Sequence, residues 1–164
     1  MKVHDIMIRQ VISILPQTTY EEAARILYGN KISSAPIVDL RGNIVGIISE
    51  KDLFQAMYPP YEEYLREPQA YHDQEQREEE VDRLRREPVE KFMTKPVVTV
   101  EINDPILHAG GLLLAHHLHR LPVVAHGKLV GIISREDIFR SIFQQRLFSR
   151  LQKVDKNYAI SVHT

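Results

Sequence analysis

Apolar positions along the chain fall into short β-branched bursts and helix-period stripes that recur in a fixed order. Val11 to Ile14 and Val97 to Val100 read as short strands, because β-branched residues dominate them. A helix follows each burst. Thr18 with Glu21 predicts a capping box ahead of the stripe holding Ala23 and Leu27, while Asp104-Pro105 predicts a cap and a first-position proline ahead of Ala109 and Leu113. Next come a strand around Pro36 to Val38 (Pro122 to Val124), a turn at Arg41-Gly42-Asn43 (His126-Gly127-Lys128) and a strand from Ile44 to Ser49 (Leu129 to Ser134). A second helix closes each unit, from Glu50 to about Tyr58 and from Arg135 to about Arg150.

The recurrence is an internal repeat. Gly46-Ile47-Ile48-Ser49-Glu50-Lys51-Asp52 is echoed by Gly131-Ile132-Ile133-Ser134-Arg135-Glu136-Asp137, and Val3, Met7 and Val11 correspond to Val89, Met93 and Val97. One residue is lost from the second copy, in the turn before Gly127. The order is strand, helix, strand, strand, helix, an α/β (α+β) class. A unit of this size covers its own sheet poorly, so two copies are expected with sheets packed together and helices outside. The boundaries expected are 1–58 for the first unit, 59–88 for an insertion, 89–145 for the second unit and 146–164 for a helix end and polar tail.

Pro59 to Pro88 is bounded by prolines, rich in Glu and Arg, and matches neither copy. Gln74 to Glu87 has few breakers and carries Glu79 with Arg83 and Asp82 with Arg86 at helix spacing, which predicts a solvated helix serving as a charged spacer.

Composition narrows the class of function. With 43% hydrophobic and 26% charged residues in 164, the chain is expected to bury a core. A net charge of −1 with interspersed signs argues against nucleic acid, and no apolar run approaches the roughly 20 residues of a membrane span. The start lacks the apolar stretch of a secretory signal, so the expected location is cytoplasmic. Absence of cysteine removes thiolate catalysis and cysteine-ligated zinc.

The duplicated Ser-x-x-Asp carries the candidate chemistry. A strand running directly into a helix leaves N–H groups expected to suit phosphate, and an ionised carboxylate accepts from both hydroxyls of a ribose. The same four residues are also a capping arrangement, so a helix cap alone accounts for Ser49 and Asp52. The copies differ in charge: His119-Arg120 precedes Leu121-Pro122, and arginine grips phosphate through two parallel bonds, whereas Ser33-Ser34 stands at the equivalent place.

A proline strand followed by Gly-Ile-Ile-Ser-x-x-Asp, present twice in this order, resembles the cystathionine-β-synthase-type (CBS) domain pair, or Bateman module. The resemblance covers about residues 1–58 and 88–145. It implies two equivalent clefts for adenosine nucleotides or S-adenosylmethionine. By the resemblance, Asp52 with Ser49 and Asp137 with Ser134 hold ribose and approach phosphate. Gln10, Val11, Ser34 and Ala35 frame adenine in the Asp52 cleft, and Pro96, Val97, Arg120 and Leu121 in the Asp137 cleft, with His119 at its border. The Asp137 cleft is the better candidate for a phosphorylated ligand. The expected function is an adenine-nucleotide sensor (AMP, ADP or ATP) with no other cofactor, acting in trans on an unidentified protein. The alternatives are an S-adenosylmethionine binder or a scaffold with vestigial clefts.

His116-His117-Leu118-His119, with His108 and His126, lacks the spacing of a zinc site, and His116 and His117 are expected to end a helix. Neither serine has a neighbouring histidine or nucleophile-elbow glycines, so no catalytic constellation is expected. Leu53, Phe54 and Met57, like Ile138, Phe139, Ile142 and Phe143, exceed what the sheet needs and predict a symmetric homodimer.

Overall fold

The computed structural model describes residues 1–58, 61–66 and 74–144. Two compact units result. One combines Met1–Gln10 and Val98–His126 with the chain from Val130, and the other combines Val11–Val97 with Gly127–Leu129.

In the Val11–Val97 unit, helix α1 (Tyr20–Gly29) precedes strands β1 (Ser34–Val38) and β2 (Ile44–Ser49), which pair antiparallel with Ser34 opposite Ser49. The connecting turn closes on Asp39, whose carboxylate accepts from the Arg41 and Asn43 N–H groups at 2.9 Å and from the Asn43 amide at 2.8 Å. Gly42 sits there at φ +83°, a conformation that favours glycine. Helix α2 (Glu50–Ala56) follows β2 without a loop. The core gathers Ile14, Tyr20, Ala23, Leu27, Ala35, Ile37, Ile48, Leu53 and Val89. Tyr20 reaches across it to donate to the Leu53 carbonyl at 2.7 Å, which satisfies its hydroxyl.

Two expectations shift here. The Val11 to Ile14 strand contracts to one parallel bridge, Ile14 to Ile37. The cap of α1 is Thr19 rather than Thr18: its hydroxyl accepts from the Glu22 N–H at 3.2 Å. The end of the insertion explains the shift, because the Thr18 carbonyl is taken by the Val89 N–H and the Glu87 carbonyl accepts from the Tyr20 N–H.

The insertion contributes α3 (Tyr61–Arg66), which no sequence feature announced, and α4 (Gln74–Leu84), inside the helix expected from Gln74. Glu79 pairs with Arg83 at 3.8 Å, but Asp82 pairs with Arg85 at 3.1 Å rather than with Arg86.

In the other unit, β3 (Val100–Glu101), β4 (Arg120–Ala125) and β5 (Lys128–Ser134) form a sheet in that order, with β3 parallel to β4. Helix α5 (Ile106–Ala115) lies between β3 and β4, and α6 (135–144) continues β5; the expected extension of α6 to Arg150 lies outside the described residues. Asp104 does not cap α5. Its carboxylate accepts from the Glu101 N–H at 3.1 Å and closes the preceding turn, leaving Pro105 at the cap position and Ile106 as the first helical residue. The core is built from Val3, Met7, Val100, Ala109, Leu113, Leu121, Val123, Ile133 and Ile138.

Val3 and Met7 thus complete the core of the second copy, while Val89, with Met93 packed against it, completes that of the first. The opening segments of the repeats are exchanged. The bridges repeat the pattern, with Ile8 on Ile132 and Thr94 on Ile47. Gly46 and Gly131 make room for it: a Cβ at Gly131 would lie 2.7 Å from Met7 Sδ and 3.1 Å from the Ile8 carbonyl oxygen, and one at Gly46 would fall on the Met93 side chain.

Candidate ligand site

Each Ser-x-x-Asp sits where a strand becomes a helix. The Asp52 carboxylate accepts through Oδ2 from the Ser49 N–H at 2.8 Å and the Ser49 hydroxyl at 2.5 Å, while Ser49 Oγ accepts from the Asp52 N–H at 3.2 Å. The second copy repeats this with Ser134 and Asp137 at 2.9, 2.6 and 3.1 Å. The helix cap is therefore present in both. It also corrects one expectation. The Glu50 and Arg135 N–H groups are spent on the carbonyls of Ser33 and His119. Together with the N–H groups of Ser49 and Asp52, and of Ser134 and Asp137, these donors are satisfied within the chain. That leaves fewer N–H groups for an anion than the strand–helix junction by itself suggests.

The remaining carboxylate oxygens differ. Asp52 Oδ1 accepts from the Thr94 hydroxyl at 3.1 Å. Ile8 occupies the equivalent place in the other unit and brings no hydroxyl. Asp137 Oδ1 has no hydrogen bond among the described residues. Asp137 lines a cavity of about 570 Å³ with Met1, Asp5, Ile6, Arg140, Ser141 and Gln144. The Lys2 N–H beside Asp5 holds its carboxyl below the ordinary aspartate range.

The register puts Ser34 opposite Ser49, close to the Asp52 helix start, and Ala35 opposite Ile48. Ala35 and Leu121 are buried, and Arg120 is exposed at the first residue of β4. His119 lies against Arg135, its ring nitrogens facing that guanidinium, as well as accepting the Arg135 N–H through its carbonyl. By compact unit, Gln10 falls with Asp137, while Val11, Pro96 and Val97 fall with Asp52. Thr94 and Arg135 were not singled out from sequence. Thr94 has no counterpart hydroxyl in the first copy, and Arg135 is a variable position of the motif.

The histidines have local places. His116 caps the end of α5, His117 and His126 adopt φ +53° and +52°, and His108 lies 4.0 Å from Asp104. Among the described residues, no three His, Asp or Glu gather to hold a metal ion. No helix among them is long and apolar enough to cross a membrane.

This geometry has relatives. A CBS domain-containing protein of Dictyostelium discoideum is 30% identical over 137 residues, 83% of this chain and 87% of that one. The chain spans 32% and 22% of two longer relatives, both from Methanocaldococcus jannaschii. Among solved structures, the CBS domain pair of protein MJ0100 in complex with 5′-methylthioadenosine and S-adenosyl-L-methionine matches with a TM-score of 0.65 and 26% identity, covering 89% of this chain and 98% of that one. CBSX2 of Arabidopsis thaliana in complex with AMP matches with a TM-score of 0.68 and 25% identity, covering 88% and 98%. The CBS domain model itself matches residues 3–59 and 89–144, so repeat, fold and site geometry converge: this chain belongs to the CBS domain family, as a tandem pair.

Proposed function

We propose that this CBS pair is a regulatory module that binds an adenine nucleotide and passes the signal to a separate partner protein. The observation that carries the reading is the carboxylate built twice at a strand–helix junction. Its own serine fixes its orientation, and Asp137 keeps one oxygen without a hydrogen bond among the described residues. A carboxylate fixed in this way accepts from a ribose diol without first losing side-chain freedom. Arg120 supplies the charge a phosphate needs, since several of the local N–H groups are occupied. AMP in CBSX2 and the two adenosyl compounds in the MJ0100 pair support this ligand class.

Calorimetric titration with AMP, ADP, ATP, S-adenosylmethionine and 5′-methylthioadenosine tests it. Binding selective for a phosphorylated adenosine, lost in Asp52→Asn or Asp137→Asn and weakened in Arg120→Gln, is the expected result. Tighter binding of S-adenosylmethionine would replace the nucleotide with a sulfonium ligand, and no binding by folded protein would overturn the sensor.

One observation favours a second reading, a scaffold with vestigial clefts: the capping boxes give Ser49, Asp52, Ser134 and Asp137 a structural task without a ligand. Both readings include a homodimer. Phe54 and Phe139 are 59% and 61% exposed, and each stacks on an aromatic one turn later, Tyr58 and Phe143, at ring distances of 4.9 and 4.3 Å. Such repeated apolar faces are the kind of surface a symmetric partner covers.

A further inference from the structure

The acidic insertion is read from sequence as a spacer, yet its end is fastened to α1 by two kinds of contact. The first is main chain: the Glu87 carbonyl accepts from the Tyr20 N–H at 2.8 Å, the Arg85 carbonyl from the Glu21 N–H at 3.2 Å, and the Val89 N–H donates to the Thr18 carbonyl at 2.9 Å. These contacts satisfy N–H groups that a helix start leaves open, and Val89 beyond them is fully buried. The second is a charge cluster. Arg85 donates to both oxygens of Glu21, at 3.2 and 2.9 Å, and to Asp82 at 3.1 Å, while Arg25 holds Glu21 from the α1 side at 2.6 Å.

The two fastenings differ in strength. The main chain of Arg85, Glu87 and Val89 is held by backbone bonds, with the Val89 side chain buried, whereas the Arg85 side-chain cluster is exposed, and exposed ion pairs are individually weak and screened by salt. We propose that the Arg85 side chain is an electrostatic latch that docks α4 on the first turn of α1, with the backbone anchor from Arg85 to Val89 as its fixed pivot. Releasing the latch frees α4 without disturbing the repeat core. The docked fraction of α4 is then set by charge at Glu21. This inference stands independently of the nucleotide reading.

Hydrogen–deuterium exchange of the full chain, read over residues 78–86 and 89–97, tests it. Arg85→Gln and Glu21→Gln are each expected to speed exchange in 78–86 about two- to five-fold, and the double variant no further, because both remove one shared interaction. Residues 89–97 are expected to keep their protection. Raising salt from 0.02 to 0.5 M should speed exchange in 78–86 of the wild type more than in Arg85→Gln, which keeps the Glu79–Arg83 pair. Unchanged exchange in Arg85→Gln, additive effects in the double variant, or equal loss of protection in 89–97 would each overturn the latch.

Discussion

At Gly131 the lack of a Cβ makes room for the neighbouring segment. The Met7 side chain and the Ile8 carbonyl occupy the space a Cβ would take, and a carbonyl moves less easily than the end of a methionine. Gly131→Ala is therefore expected to cost about 1–3 kcal/mol of stability by overpacking. Gly46→Ala, where the three nearest atoms to the added Cβ all belong to the Met93 side chain, is expected to cost less. Chemical denaturation of the two variants measures the difference. Ser134 tests the dual nature of the motif: Ser134→Ala removes the cap of α6 and is expected to cost about 1 kcal/mol whether or not a ligand is present. Asp137→Asn keeps the shape of the side chain, which makes it the better probe of binding. The glycines and both serines were legible as singular positions. That Gly46 and Gly131 admit an exchanged segment was not, because sequence does not show which copy a segment joins.

At the level of elements, the termini of α1 and the β1–β2 turn carry much of the charge chemistry. The Arg85 guanidinium beside Glu21 holds its carboxyl below the ordinary 4.5, and the Asn43 amide beside Asp39 holds its carboxyl below the ordinary 3.8. In each case the unfolded chain binds its proton at higher pH than the folded one. The stabilisation is complete above the ordinary carboxylate range and is lost as pH falls through the lower folded values. Thermal unfolding followed from pH 7 to pH 3 should show a falling midpoint, and Glu21→Gln should flatten part of that fall. Element order was readable from the periodicities, with β2 found at the expected residues Ile44–Ser49. Starts of helices were not: Thr19 displaced Thr18, and Asp104 turned to a local loop, because a cap is chosen by whichever N–H groups tertiary contacts leave open.

For the whole molecule, the repeats are complementary parts rather than independent ones. Val3 and Val89 are both fully buried, each in the core completed by the other copy. Val3→Ala and Val89→Ala are each expected to destabilise the protein by about 2 kcal/mol, from lost burial and the cavity left behind. A protein cut to one repeat should fail to fold, which circular dichroism of residues 1–58 would check. Exposed aromatic pairs on α2 and α6 make the oligomeric prediction concrete. Light scattering should give twice the chain mass, and Phe54→Glu with Phe139→Glu should halve it.

The sequence alone determined the duplication, the order of elements, the family and the Ser-x-x-Asp positions, since these rest on periodicity and on residues adjacent along the chain. Tertiary structure decided what depends on distant pairings. It set which opening segment completes which core, put Thr94 on Asp52 and no such partner on Asp137 among the described residues, spent several of the N–H groups expected for phosphate, and fastened the insertion to α1. Hydrophobic pattern specifies that a residue is buried, but which of two nearly identical cores it enters is a difference between long-range contacts that the two copies encode almost alike.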